Sequence, residues 1–196
     1  MRERTHMIDM QPAAARLAGV IAGVSDDDLA KPTPCPDASV GGLIDHIRTF
    51  SVAFTRSARK EGRDGPPPQA NPANLPGDWR QTTPDALATL AAAWGEPGAW
   101  DGMSHAGPIE MSADMAGLVA VDELVVHGWD IAVATGQPYD VSDDEVAAAM
   151  SFVANFHVPR DGGLFGPIVD VPEDAPPLDR LLGLTGRDPN WQPPAS

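Results

Sequence analysis

The 196-residue sequence has one cysteine, Cys35, which excludes an intrachain disulfide. A reducing compartment needs none, and the cytoplasm is the simplest home. No apolar run approaches the ~20 residues of a membrane span, so no membrane partner is expected. Positive charge is scarce: 13 Lys and Arg stand against 28 Asp and Glu, a formal net charge of −15. Such a surface repels phosphate backbones, which argues against nucleic acid as a partner. What is present is ordinary for a globular protein, with 42% hydrophobic and 21% charged residues. The length suits one domain with a real core. The opening "MRERTHMIDMQPAAARLAGVIAGV" starts basic and turns apolar, as a secretion signal does. Asp9 interrupts it and its apolar positions are periodic, so it reads as the first helix of the fold.

Helical spacing dominates the rest. Met10, Ala14, Leu17, Ile21 and Val24 define a helix over 8–24. After the Pro-broken "SDDDLAKPTPCPD", Ser39 caps a second helix running to about Lys60. Residues 61–82 are rich in Pro, Gly and Asn and too long for a tight helix turn, which suggests a crossover. Thr83 as cap and Pro84 at the first helical position begin a third helix, about 84–95. Residues 97–112 read as loop. A fourth helix spans about 113–135 and stops near Gly136. Ser142 and Glu145 form a capping box for a fifth. The tail holds a turn or two of helix in "PPLDRLLGLTG", ended by Gly186, with room for a short strand pair. The expected class is all-α, a helical bundle.

The fourth helix carries a polar pair in an apolar run, "VDELVVHGWDIAVATGQ". Glu123 and His127 lie one turn apart and share a face. Burying charged groups is costly unless something satisfies them, and a divalent metal would. Enzymatic zinc sites commonly use three protein ligands and keep a fourth position for water or substrate. His46, mid-helix in "LIDHIRTF", is the best third ligand. His6 is near a terminus, His105 is in a Gly-rich loop, and His157 is at a helix end before Pro159. Taken alone, Glu-x-x-x-His is most often a surface pair, and His46 a hydrogen-bonded, partly buried histidine.

"TPCPDASVGGLIDHI" together with "DELVVHGWDIAVATGQ" resembles the metal-binding domain of mycothiol-dependent maleylpyruvate isomerases, a branch of the DinB/YfiT-like superfamily. There a Pro-Cys-Pro segment leads into a Leu-x-x-His helix, and a later helix carries Glu-x-x-x-His-x-x-Asp. This chain has Leu43 and His46, then Glu123, His127 and Asp130. The ending "DAPPLDRLLGLTGRDPNW" resembles an uncharacterised actinobacterial subgroup. The resemblance implies a four-helix bundle with a long crossover, here 1–157, and a Pro/Gly-rich extension packed on it, 158–196. It implies His46, Glu123 and His127 as ligands of zinc or nickel. Asp130, three residues after His127, is placed to orient a ligand or, equally, to bond a backbone amide or the Arg-containing tail. The resemblance also implies a mycothiol-type thiol as co-substrate, a small-molecule substrate, and a bundle able to pair as a homodimer. Two departures stand out. Ala38 replaces a frequent Trp, and the Pro-rich tail stands where the isomerases carry a further substrate-binding domain, so the isomerase reaction itself is not carried over.

Other residues are read more plainly. Cys35, between Pro34 and Pro36 with no obvious basic neighbour, is taken as a small buried loop residue rather than a reactive thiolate. Asp45 and Asp122 are expected to be solvated or to support ligands. Trp79, Trp94 and Trp129 are packing residues. Arg180 and Arg187 suit a carboxylate substrate or, better, tail-to-body salt bridges. The expected function is a metal-dependent thiol transferase or isomerase. Its rivals are a non-catalytic metal-stabilised module, with Cys35 or His157 as fourth ligand, and a metal-activated hydrolase with Asp130 as base.

Overall fold

Ser39 sets the first site-bearing helix. Its backbone is extended, and its hydroxyl accepts from the Gly42 amide at 3.2 Å. From that cap α2 runs Val40–Ala58, with Leu43, Ile44 and Ile47 buried on its inner face. The structure, a computed structural model, describes residues 7–36, 38–62, 65, 69–155 and 165–194. His6 and His157 fall outside them.

Before α2, α1 spans Gln11–Ala22. After it come α3, Trp79–Trp94, and a hairpin of β1, Met103–Ala106, and β2, Ile109–Ser112. Then follow α4, Ala113–Ala134, α5, Asp143–Asn155, and α6, Pro177–Leu184. Short 3₁₀ turns occupy Asp26–Asp28, Pro72–Asn74 and Pro97–Trp100. The architecture is helix-dominated with one small sheet. α1 and α2 each pack against both α3 and α4. The long connection thus joins helices that touch directly, α2 and α3. α5 lies on α4, and α6 on α5.

Three expectations need correction. Among the described residues the strand pair lies between α3 and α4, not in the tail; β1 and β2 are antiparallel, with Met103 opposite Ser112. Pro84 does not open α3 but sits inside it, and Thr83 is a buried core residue rather than a cap. A mid-helix proline forfeits one backbone hydrogen bond. The turn before it persists because it buries Trp79, whose indole also carries the Arg80 guanidinium at 4.2 Å. Asp45 is not solvated: it is buried and accepts from the Asn71 amide at 3.1 Å and Asn74 Nδ2 at 3.0 Å, pinning the connection to α2.

α4 is the central rod, with buried residues on every side, as a helix apolar all round requires. Two glycines let neighbours come close. A Cβ at Gly117 would collide with the Trp100 ring, and one at Gly128 with the Tyr139 phenol. Both rings are fixed by hydrogen bonds, Trp100 Nε1 to Trp94 O at 2.8 Å and the Tyr139 hydroxyl to Leu124 O at 3.1 Å.

Helix ends follow their capping residues. In α5, the Ser142 amide and hydroxyl donate to Glu145 Oε2, both at 2.9 Å, and Glu145 also pairs with Arg16 of α1 at 3.0 Å. α4 and α6 finish alike, in Thr-Gly-Gln and Thr-Gly-Arg. Gly136 and Gly186 take φ of +69° and +83°. The Gln137 and Arg187 amides reach back to Ala132 O and Leu182 O, each at 2.8 Å. This is the Schellman closure, and it aims the residue after the glycine back at the helix body. No helix among the described residues is long and apolar enough to cross a membrane.

Candidate metal centre

His46 from α2 meets Glu123 and His127 from α4 at one carboxylate oxygen. Glu123 Oε2 lies 3.0 Å from His46 Nε2 and 3.1 Å from His127 Nε2. The two imidazoles stand nearly perpendicular, centroids 5.0 Å apart. Behind them, His127 Nδ1 lies 3.0 Å from Asp130 Oδ2. Asp130 in turn accepts from Arg187 Nη2 at 3.0 Å and Nε at 3.3 Å. Side-chain exposure falls from 33% at His46 to 12% at Glu123 and His127 and 0% at Asp130, so the cluster opens on the His46 side.

The electrostatics place a positive charge between two carboxylates. Both nitrogens of His127 face carboxylate oxygens, and a neutral imidazole has only one proton to offer. Burial pulls the His127 pKa down, but the Glu123 and Asp130 carboxylates overcome it and push it up to about 10. Burial would raise the Glu123 pKa, yet the two histidines hold it well below the usual carboxylate range. The second proton on His127 is thus what a metal ion would replace.

The donor set fits such an ion. One nitrogen from each histidine and one Glu123 oxygen lie within 4.8 Å of one another. Ligands at 2.0–2.1 Å around a tetrahedral zinc are about 3.3 Å apart, close to the spacings found here. A carboxylate behind a histidine ligand is the usual way to fix its tautomer. A surface hollow of about 510 Å³ at the C-terminal end of α2, lined by Arg59, Lys60 and Glu96 among others, includes none of these residues.

Residues read from the sequence divide as follows. His46, Glu123, His127 and Asp130 come together. Cys35 is half-buried beside them, grouped within 4.8 Å of His127 and Asp130 but not with His46 and Glu123. Basic neighbours exist in space, since His127 and Arg187 draw its thiol pKa down; burial is the larger effect and raises it. Asp122 departs from expectation: it is buried, its Oδ1 has no hydrogen-bond partner, and burial, with Glu123 beside it, raises its pKa to about 8. His105 lies in β1 rather than a loop, buried with Nε2 unpartnered. Arg187 makes the tail-to-body bridge, to Asp130. The Thr-Gly before it was its sequence signal.

Two uncharacterised proteins of Mycobacterium tuberculosis, from strains CDC 1551/Oshkosh and H37Rv, are each 28% identical over 188 residues, covering 90% of this chain and 94% of theirs. No solved structure matches. The sequence model of the mycothiol maleylpyruvate isomerase N-terminal domain matches residues 10–132, a span that holds all three convergent side chains and Asp130. With well over half its length matched, the chain belongs to the mycothiol maleylpyruvate isomerase N-terminal domain family.

Proposed function

We propose that this protein binds one divalent metal ion, zinc or nickel, through His46, Glu123 and His127. It would use a mycothiol-type thiol to transfer to, or isomerise, a small electrophilic substrate. The observation that carries the reading is the pair of carboxylates facing both nitrogens of His127, with His46 converging on the same Glu123 oxygen. A bound divalent ion would supply stabilisation of a coordinated thiolate at neutral pH. The chain's own part is to hold the donors. Asp130 takes the Nδ1 hydrogen of His127, which leaves Nε2 facing Glu123. His46, the most exposed of the three, marks the side from which a thiol would enter. The reading carries with it a DinB-like four-helix bundle made of α1 to α4, with the C-terminal extension packed on the same domain, working in the cytoplasm on small molecules.

The rivals have less support. A closed structural site needs a fourth ligand: Cys35 groups with His127 and Asp130 rather than with the full trio, and His157 lies outside the described residues. A hydrolase needs a free base, and Asp130 is already held by Arg187 and His127.

Metal content of untagged protein, measured by mass spectrometry against His127→Ala, tests the reading. The expected result is about one zinc or nickel per chain in the wild type, lost in the variant. Wild-type protein that stays metal-free even after zinc or nickel is added would overturn it. Turnover that depends on added thiol separates transfer or isomerisation from hydrolysis.

A further inference from the structure

We infer that Arg187, which lies outside the family-matched span, is a positioning residue for the metal site: it neutralises Asp130 so that this carboxylate orients His127 and does not compete for the metal. The inference rests on the reading above and extends it to the C-terminal segment.

Asp130 is fully buried and carries a charge that burial makes costly without a partner. Arg187 grips both of its oxygens, Nε to Oδ1 at 3.3 Å and Nη2 to Oδ2 at 3.0 Å. A planar two-point grip fixes the plane of the carboxylate, which a lysine cannot do. That plane aims Oδ2 at His127 Nδ1.

The guanidinium is itself held in place. Its Nη1 donates to Thr185 O at 2.7 Å, and its backbone amide closes the end of α6 on Leu182 O. Gly186, at φ +83°, packs so tightly on Gly166 that a Cβ there would press on the Gly166 backbone. All three guanidinium nitrogens are engaged and the side chain is only 5% exposed. This leaves Arg187 poorly placed to hold a substrate carboxylate, the other role its chemistry would suit. Freed of Arg187, the Asp130 carboxylate would lose the two-point grip that fixes its plane, turn toward the ion and loosen His127.

Zinc affinity, measured by competition with a chromophoric chelator, tests this on the full chain. The proteins needed are wild type, Arg187→Lys, Arg187→Met, Asp130→Asn and the Arg187→Met/Asp130→Asn double variant. Loss of a group behind a ligand costs about 10–100-fold in metal affinity, and that is expected for each single variant at residue 187 or 130. The double variant should be no weaker than Asp130→Asn alone, because Arg187 acts through Asp130. Nitrogen-15 NMR of the zinc-loaded protein should show a protected His127 Nδ1 hydrogen that is lost to exchange in Arg187→Met. Should Arg187→Met fail to fold by circular dichroism, Arg187→Lys carries the test: charge retained, grip lost, zinc affinity down about tenfold. Wild-type binding with residue-187 variants within twofold, or additive losses in the double variant, overturns this inference alone. Absence of zinc binding by the wild type overturns the reading above and this inference together.

Discussion

Glu123 and His127, one turn apart on α4, share a contact of 3.1 Å between Oε2 and Nε2. That contact ties stability to pH, and with it the affinity for the proposed metal. The folded pKa of His127 is raised from 6.5 to about 10. Its stabilisation is therefore fully present below about pH 6.5 and is lost as pH rises toward 10. Glu123 is depressed from 4.5, so its share is present above that value and is lost as pH falls below it. Metal-free protein should accordingly be most resistant to urea between those limits and weaken on the alkaline side. Zinc binding should run the other way. The ion displaces the His127 proton, so affinity should rise up to about tenfold per pH unit between pH 6.5 and 8.5. A flat profile in chelator competition would show that no proton is exchanged for the metal.

Asp122 costs the fold stability wherever it must be kept neutral. Its pKa is raised from 3.8 to about 8, first by burial and then by Glu123. For an acid shifted upward, the penalty grows as pH climbs from the unfolded value toward the folded one. Asp122→Asn removes that dependence. Relative to wild type, the variant should gain ~1 kcal/mol or more in urea unfolding between pH 5 and pH 8. A constant difference across that range would place the titration elsewhere.

Gly117→Ala should destabilise the chain by about 1–3 kcal/mol, the usual cost of overpacking. The added methyl meets the Trp100 ring, which is buried and tied to Trp94 O. Equilibrium unfolding followed by tryptophan fluorescence reads both the loss of stability and the shift of the ring. Wild-type stability with unchanged emission would mean that the contact is looser than the packing indicates.

Much of this site was legible in the sequence. Glu123, His127 and Asp130 needed only helical periodicity to share a face, and His46 stood out as the histidine on an apolar helix face. Ser39, Ser142 with Glu145, Gly136 and Gly186 marked helix ends by side-chain chemistry that acts locally. What was missed depends on distant contacts. Asp122 reads in the sequence as solvated or ligand-supporting because an offset along a helix says nothing about a helix surrounded on all sides. Trp79 extends α3 past Pro84 through burial that no local pattern records. The hairpin strands are four residues each, too short to alternate visibly.

The glycine notches on α4 have a consequence for the proposed metal site. Trp100 seats against position 117 and Tyr139 against 128, on either side of Glu123 in sequence and next to His127. Together they act as keys in a shaft, stopping α4 from rolling or sliding within the molecule. The azimuth of Glu123 and His127 toward α2 is therefore set by packing. A frame built this way would admit the ion whose preferred geometry it already matches. Discrimination between zinc and nickel would then be decided by aromatic rings that touch neither.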